Sequence, residues 1–108
     1  MGYRTYHSMD VINVAEDYKL AIIADLRKTC EAAKYSLDED GYPIDETTWY
    51  DCDKHLREFS KEYPDIVIMI HGAGEECGDI WNRYFSNGKM QSCDATVTIP
   101  PFNPDLLE

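Results

Sequence analysis

The residues best equipped for chemistry are crowded into one short segment, His71–Asp79, which also contains three glycines and a cysteine. Its imidazole and carboxylate groups could bind a divalent metal or form an acid/base pair. The glycines equally predict a bend between strands whose carboxylates lie in water. The segment lacks the Gly-Lys-Ser/Thr ending of a phosphate-binding loop, so that function is excluded. The candidate site residues are His71, Glu75, Glu76 and Asp79.

A second candidate is the pair Cys52 and His55, which lie three residues apart in a predicted helix. A cysteine nucleophile is activated by an adjacent imidazole base. Cys52, however, shares a helical stripe with Leu56 and Phe59, and this position predicts a buried thiol. No Ser, Asn or Asp is placed to complete a triad. We therefore expect no catalytic residues, no cofactor and a protein that is not an enzyme.

Negative charge is concentrated between Lys34 and Lys54, where the chain has no Lys or Arg, and the formal net charge of the chain is -11. Such a charge repels phosphate-bearing ligands and attracts basic surfaces over long distances. The run is not a calcium loop, because placing Gly41 at position 6 of an EF-hand puts Ser36 first and Thr47 last. The acidic residues in this run are Asp38, Glu39, Asp40, Asp45, Glu46, Asp51 and Asp53.

This acidic segment, Asp38–Asp53, also carries aromatic residues of the kind that anchor protein interfaces. Carboxylates on a rigid scaffold can occupy a groove built for nucleic acid, and the aromatic residues would add contact area. The partner would be a basic protein surface, and the chain itself would bind no nucleic acid. The alternative is that the charge serves solubility alone. The predicted partner-binding residues are Asp38, Glu39, Asp40, Tyr42, Asp45, Glu46, Trp49, Tyr50 and Asp53.

Length and composition predict a single globular domain over residues 1–108. Aromatic residues make up 12% of the chain, whereas disordered acidic chains have few. The longest aliphatic run, Ile66–Ile70, is too short to span a membrane, and residues 1–10 lack the apolar stretch of a signal peptide. The four cysteines form no CxxC pair. We therefore expect reduced, mostly buried thiols in a cytoplasmic protein.

Hydrophobic periodicity predicts the secondary structure. Two stripes of apolar residues at steps of three and four predict two helices, the second capped by Asp51 and ended by Pro64. The uninterrupted run Ile66–Ile70 predicts a central strand buried on both faces. In chain order the predicted elements are strand Thr5–Ala15, helix Asp17–Ala33, a short strand up to Trp49, helix Cys52–Glu62, and strands Ile66–Ile70, Ile80–Phe85 and Lys89–Ile99.

The clearest local signal is the pair Asn87-Gly88 between the last two strands, because both residues tolerate the positive φ of a tight hairpin turn. The proline-containing tail 100–108 should stay extended. The element order predicts an α+β fold, an antiparallel sheet of four to five strands with two helices on one face, as in a ferredoxin-like variant. In the last strand, alternation predicts that the inward residues are Cys93, Ala95, Val97 and Ile99.

A series of short pieces spans about two fifths of the chain. The pieces are Trp49-Tyr50-Asp51, Leu56, Phe59-Ser60, Tyr63-Pro64-Asp65, Gly74-Glu75-Glu76, Gly78-Asp79-Ile80-Trp81, Tyr84-Phe85 and Asn87-Gly88-Lys89-Met90-Gln91. In this order they resemble small uncharacterised proteins of bacterial phages and mobile elements, some of which have ferredoxin-like folds. The resemblance implies a fold and a genomic setting but no catalytic residues. Small acidic phage proteins often bind and block a host machine, as anti-CRISPR proteins do.

Three functional hypotheses follow. The leading one is a small phage-type binding protein that inhibits or modulates a host nucleic-acid-handling machine, such as a CRISPR effector, by occupying its basic surface in the host cytosol. The second is a scaffolding module that uses its sheet edge or its C-terminal tail, and an exposed sheet edge could also pair two copies. The third is a small metal-dependent enzyme built on the four side chains of the segment His71–Asp79.

Overall fold

Residues 3–96 and 99–107, which the computed structural model describes, fold as one strand, three helices and then three further strands. This content confirms the α+β class predicted from the sequence. The elements are β1 (Thr5–Ile12), α1 (Glu16–Thr29), α2 (Glu31–Ser36), α3 (Cys52–Ser60), β2 (Val67–Gly74), β3 (Ile80–Ser86) and β4 (Lys89–Asp94), followed by a 3₁₀ turn, Pro104–Leu106.

The strands form an antiparallel sheet in the order β1-β2-β3-β4. The connection between β1 and β2 contains the three helices, and β2 then pairs directly with β1. The helices pack on one face of the sheet, called here the inner face. The predicted antiparallel sheet with helices on one face is therefore confirmed, in a variant with the strands in sequential order.

The core lies between the inner face and the helices. Both predicted helical stripes point into it, which explains why their apolar residues recur at steps of three and four. Fully burying one large aliphatic or aromatic side chain stabilises a fold by about 1.5–3 kcal/mol. The large side chains most completely buried here are Ile22, Ile23, Leu26, Leu37, Leu56, Ile68, Ile70 and Phe85.

The first two predicted elements are correct in position but differ in length. The strand predicted over Thr5–Ala15 ends at Ile12, and Asn13 then turns the chain with a φ of 59°. The helix predicted over Asp17–Ala33 is broken at Cys30, which has an extended backbone (φ -127°, ψ 111°) between α1 and α2. The apolar stripe nevertheless survives the break, because residues on both sides of it are buried.

The second predicted helix, Cys52–Glu62, ends two residues early, at Ser60. Asp51 occupies the N-cap position as predicted, but its side chain accepts no capping hydrogen bond. At the other end, the buried Ser60 hydroxyl donates to the carbonyl of Arg57 at 2.8 Å and accepts from the backbone N–H of Gly88 at 2.8 Å. The last turn of α3 is thereby attached to the β3–β4 hairpin.

Strand β2 differs from its prediction in burial and in length. Its residues alternate, with Ile68 and Ile70 buried but Val67 and Met69 only half-buried. The prediction of burial on both faces is wrong because the helices cover the inner face alone. Strand β2 also continues past His71 and ends at Gly74, so the predicted bend is confined to residues 75–79.

The hairpin predicted at Asn87-Gly88 is confirmed, with φ values of 48° and 81°. The prediction of which β4 residues face inward is wrong. Phe85 lies opposite Met90, so Met90 shares the inner face with this buried residue. Cys93, at odd spacing from Met90, therefore lies on the outer face and is exposed.

The last predicted strand ends at Asp94 instead of Ile99. Ala95 is exposed, Ile99 is 85% exposed, and Val97 lies outside the described residues. The tail beyond is extended apart from its 3₁₀ turn. Besides Ile99, its exposed large apolar side chains are Phe102, Leu106 and Leu107.

The cysteines are less buried than predicted. Cys52 is buried and Cys30 is partly buried, but Cys77 and Cys93 are exposed, and all four are free thiols. Cys77 lies in the exposed turn 75–79, so the helices do not cover it. Within the described part of the chain, no helix has the length and apolar character needed to cross a membrane. The cytoplasmic location stays a prediction.

Candidate functional site

The acidic segment is attached to the free edge of β1. Thr5 and Thr47 exchange two backbone hydrogen bonds of 2.9 Å, and the N–H of Met9 donates to the carbonyl of Gly41 at 2.8 Å. The predicted short strand up to Trp49 is thus only an isolated bridge at Thr47. Because the backbone is held at two points, the segment is fixed relative to the sheet.

Three of the predicted binding carboxylates are used within the fold. Asp38 Oδ1 accepts from the backbone N–H groups of Asp40 and Tyr42, both at 2.9 Å, and so holds the tight turn there. Asp45 Oδ1 accepts from the next backbone N–H at 2.8 Å. Asp53, in the first turn of α3, receives a 3.1 Å hydrogen bond from the Arg83 guanidinium. These three side chains are therefore less free to meet a partner than the sequence suggests.

The other predicted binding carboxylates lie in two places. Glu39 and Asp40 line a surface groove of about 570 Å³ together with Arg27, Lys28 and Lys34 of the helices. Within the described residues, no ion pair joins these two carboxylates to the three basic side chains. The negative surface is therefore a band with cations at one end, because the helices bring basic residues to it.

The third of these predicted binding carboxylates, Glu46, lies beside β1. The negative charge of Glu46, then desolvation, and then the charge of Asp45 raise the pKa of Tyr6. Both acidic side chains are therefore close to Tyr6, near the N-terminal end of β1. Negative charge thus reaches from the turn at Asp38 to the sheet edge.

The aromatic residues of the segment divide into two groups. Tyr42 and Tyr50 are 66% and 76% exposed, as a contact surface requires. Trp49 is only 7% exposed, and its indole N–H donates to His55 Nδ1 at 2.9 Å. The predicted surface role of Trp49 is therefore wrong, because the side chain belongs to the core between α3 and the sheet.

The four candidate residues of the segment His71–Asp79 do not converge. His71 lies on the outer face, with its Nδ1 2.6 Å from Asn82 Oδ1. Asp79 instead lines a pocket with inner-face residues and accepts a hydrogen bond from the Tyr3 hydroxyl. Glu75 and Glu76 are exposed in the turn between them. Among residues 3–96 and 99–107, no group of three His, Cys, Asp or Glu side chains is placed to hold a metal ion.

The thiol–imidazole contact seen in the structure involves Cys30 and not Cys52. Cys30 Sγ lies 3.4 Å from His55 Nδ1, whereas burial, and then the charge of Asp53, raises the pKa of Cys52 to about 12. The Trp49 indole can only donate, so the His55 nitrogen that it contacts must be the acceptor. The single lone pair of that nitrogen already accepts the indole N–H, so it could take a proton from the Cys30 thiol only if the Trp49 hydrogen bond were lost.

A pocket of about 420 Å³ that the sequence analysis missed, called here the aromatic pocket, lies at one end of the inner face. Because Gly72 has no side chain, the Trp81 indole can lie across β2. A Cβ at this position would overlap the indole ring. The His7 ring meets Trp81 at 6.0 Å and Trp49 at 5.4 Å between centroids, both edge-on. The register aligns one residue from each strand across this end: His7, Gly72, Trp81 and Asp94.

His7 is neutral at physiological pH. The side chain is 3% exposed, and its Nδ1 lies 3.3 Å from Thr47 Oγ1. Burial, and then the positive charge of Arg83, lowers the pKa of His7 to about 4. An imidazole with this pKa adds no charge to the pocket near pH 7.

The charged groups of the aromatic pocket are one guanidinium and two carboxylates. Arg83 stacks over the Trp81 ring, 4.0 Å from its centroid, while hydrogen bonded to Asp53. Asp79 and Asp94 also line the pocket, and neither forms an ion pair within the described residues. The hydrogen bond to the Asp79 carboxylate raises the pKa of Tyr3 at the rim. With Arg83 balanced by Asp53, the pocket mouth has a net negative charge.

Comparisons with known proteins leave the function to be argued from this geometry. The chain matches no protein-family model, no curated protein and no solved structure. The resemblance of residues 49–91 to phage and mobile-element proteins stays a prediction. The pocket and the acidic segment are therefore weighed by their own chemistry.

Proposed function

We propose that the protein binds a basic surface of a partner protein through its acidic segment, without catalysing a reaction. The observation that carries this proposal is the attachment of the segment to the edge of β1 at Thr5 and Met9. Carboxylates on a fixed backbone lose less conformational entropy on binding than carboxylates on a mobile loop. Opposite charges also steer the two partners together before contact.

The contact surface would centre on the carboxylates that the fold leaves free. Glu39, Asp40 and Glu46 form no ion pair among the described residues. The exposed rings of Tyr42 and Tyr50 would supply the apolar contact area that interfaces need at their centre. Because Glu39 and Asp40 are exposed and Glu46 is partly exposed, the interaction should weaken as salt rises.

A more specific form of the proposal is an inhibitor of a host nucleic-acid-handling machine, such as a CRISPR effector. A surface that binds phosphates is basic, so carboxylates can occupy it and exclude nucleic acid. The net charge of -11 supports this form, and so does the resemblance of residues 49–91 to phage and mobile-element proteins. The protein would then act in the host cytosol.

The test is a titration with a fluorescently labelled oligo-lysine peptide at low and high salt. The charge-reversal variant Glu39→Lys/Asp40→Lys/Glu46→Lys should bind the peptide at least about tenfold more weakly than the wild type, which corresponds to about 1.4 kcal/mol. Asp38 and Asp45 are kept, because their side chains hold the backbone of the segment.

A matched control carries the same net charge with the reversals elsewhere on the surface. Its substitutions are Glu31→Lys, Glu62→Lys and Asp65→Lys, at exposed positions outside the acidic segment. This control should lose much less affinity for the peptide. Equal losses in the two variants would mean that net charge alone attracts the peptide, and the proposal would be wrong.

A second candidate function is self-association through the outer face of the sheet. Two copies with a charge of -11 repel each other, so their contact must use uncharged surface. Among the outward residues of the four strands, only Asp10 and Lys89 carry a formal charge, and they are of opposite sign. Tyr6, Ile12 and Ile80 are exposed on this face. The occupant that we propose is the apolar C-terminal tail of a second copy.

Sedimentation of the full chain over a range of concentrations tests this candidate. Deleting residues 100–108 should convert a dimer to a monomer, and so should Phe102→Ser, because its ring is 76% exposed and free to dock on another molecule. Asp105→Ser is a control within the tail that leaves every apolar side chain in place. A wild-type chain that stays monomeric at all concentrations would exclude self-association.

A further inference from the structure

Strand β4 is the open edge of the sheet. All of its residues are exposed except Met90, which is partly exposed. It contains no proline and pairs with β3 in one continuous register, so it lacks two of the devices that usually protect an edge strand. Its two charged residues, Lys89 and Asp94, lie at its ends and are of opposite sign. The centre of β4 is therefore uncharged backbone that another strand can approach.

The hydrogen-bond pattern of the hairpin shows which backbone groups of β4 point away from β3. Ser86 lies opposite Lys89 across the two-residue turn, and the N–H of Ala95 donates to the carbonyl of Ile80 at 2.8 Å. Opposite residues in an antiparallel ladder alternate between bonded and non-bonded pairs. Within the described part of the chain, the outward N–H and C=O groups of β4 form no backbone hydrogen bond. They belong to Met90, Ser92 and Asp94.

We infer that β4 pairs antiparallel with β4 of a second copy of the chain, with Ser92 opposite Ser92 of that copy. This inference rests on the second candidate function, self-association, and names the strand and the register that join the copies. In this register Met90 of each copy lies opposite Asp94 of the other. The three pairs exchange two bonds each, which gives six backbone hydrogen bonds. Centring the pair on Gln91 or Cys93 would bring only two outward pairs together, so the register centred on Ser92 is favoured.

The charges of β4 favour the antiparallel arrangement. Lys89 begins the strand and Asp94 ends it, so a parallel pair in the same register would bring like charges together. In the antiparallel pair, Lys89 of each copy lies opposite residue 95 of the other, next along the chain to Asp94. The two Asp94 residues are separated by four residue steps, about 13 Å along the strands. This separation exceeds the Debye length of about 8 Å at physiological ionic strength.

Pairing of the β4 edges is compatible with a tail that docks on the outer face of the second copy. Ala95 follows β4 and would lie beside Lys89 of that copy. Phe102 comes seven residues later, and an extended segment of this length spans at most about 25 Å. Four strands at their usual spacing are only about 14 Å wide. The tail can therefore reach across the outer face while the edges stay paired.

Sedimentation of the full chain with reduced thiols, at low and high salt, gives the first test. The copies carry a charge of -11 each, and salt screens their repulsion. The dimer should therefore become tighter as salt rises, whereas binding of the oligo-lysine peptide should become weaker. A chain that stays monomeric at both salt concentrations, or a dimer that dissociates as salt rises, would overturn the inference.

A proline at the centre of β4 tests the backbone pairing. Ser92→Pro removes an outward N–H that β3 does not use, so the hairpin is kept while the edge is blocked. Dimerisation should weaken at least about tenfold. The matched control is Ser92→Ala, which also loses the 3.4 Å contact between the Ser92 hydroxyl and Arg83 Nε. It should dimerise as the wild type does, and equal weakening in the two variants would mean that the backbone N–H is not involved.

Disulfide trapping tests the register and does not depend on the proline variant. Cα atoms of a hydrogen-bonded antiparallel pair are about 5.5 Å apart, within the range that a disulfide bridges. The variant Cys77→Ser/Ser92→Cys/Cys93→Ser, which lacks both exposed native thiols, should form a covalent dimer in oxidised glutathione.

The matched control moves the thiol by one residue, in Cys77→Ser/Gln91→Cys/Cys93→Ser. The two thiols would then be offset by two residue steps, about 7 Å along the strands and farther in space. This distance is too long for a disulfide, so the control should cross-link at least about tenfold more slowly. Cross-linking of the control at the same rate or faster would contradict the register centred on Ser92.

Failure of this inference can be told apart from failure of the function on which it rests. If deletion of residues 100–108 weakens the dimer but Ser92→Pro dimerises as the wild type does, the copies associate without β4 and only the edge pairing is wrong. If Ser92→Pro weakens the dimer but the deletion does not, the edge pairing is supported and docking of the tail is wrong. A wild-type chain that stays monomeric excludes both, and binding of the oligo-lysine peptide is judged separately.

Discussion

Replacing His7 by Asn should remove the part of the acid-induced loss of stability that the His7 imidazole causes. In the folded chain, burial and the charge of Arg83 hold the pKa of His7 at about 4, against an ordinary value of 6.5. Between these values the unfolded chain binds a proton at His7 that the folded chain does not. Stability therefore rises with pH across this window and falls as the pH is lowered through it.

The size of the effect follows from the same two values. At pH 5 the imidazole is mostly protonated in the unfolded chain and mostly neutral in the folded chain, so the wild type should lose about 2 kcal/mol relative to pH 7. Close to the folded pKa of about 4 the loss approaches about 3 kcal/mol. Asn keeps a polar atom near Thr47 but has no proton to gain.

Urea unfolding at pH 7 and pH 5 measures this difference. The many carboxylates titrate in both proteins, so the quantity to compare is the pH-induced change in the free energy of unfolding, wild type against His7→Asn. The control His71→Asn removes an outer-face histidine but keeps His7, so it should follow the wild type. If His7→Asn loses as much stability as the wild type between the two pH values, His7 is not held neutral by the fold.

Three further substitutions test the packing around the site. Leu56→Ala should lower the free energy of unfolding by about 2–5 kcal/mol because it opens a cavity in the core, whereas Leu106→Ala on the tail should leave chemical denaturation unchanged. Gly72→Ala should displace the Trp81 indole and destabilise the fold by about 1–3 kcal/mol; an unaltered tryptophan emission spectrum would contradict this. Ser60→Ala should cost about 1–3 kcal/mol, since it leaves a hairpin N–H without its acceptor, and faster hydrogen exchange at that amide is the check.

The parts of the fold that depend on local chemistry could be predicted from the sequence. The Asn87-Gly88 turn and the two helical stripes need no knowledge of distant residues. The inward residues of β4 could have been found too, because a two-residue turn that pairs Ser86 with Lys89 also pairs Phe85 with Met90. The polarity pattern alone predicts an inward Cys93, but the two-residue turn determines the register and places Cys93 on the outer face.

The aromatic pocket could not be predicted in the same way. His7, Trp49 and Trp81 come from three separate parts of the chain, and only the pairing of β1 with β2 and β3 brings them together. The available signals were indirect: a histidine at an inward position of an alternating strand, and two tryptophans in a small acidic chain. Likewise, the sequence shows where carboxylates occur but not that Asp38 holds a turn or that Asp53 meets Arg83.

The covering of the β1 edge limits how this sheet can grow. The edge N–H groups of Thr5 and Met9 are bonded to the acidic segment, and that of Val11 is bonded to the side chain of Asp10 at 2.8 Å. An incoming strand therefore finds few free donors on that side and can add only next to β4. Two molecules joined β4 to β4 would leave only the two covered β1 edges outermost, which disfavours further strand pairing into a fibre.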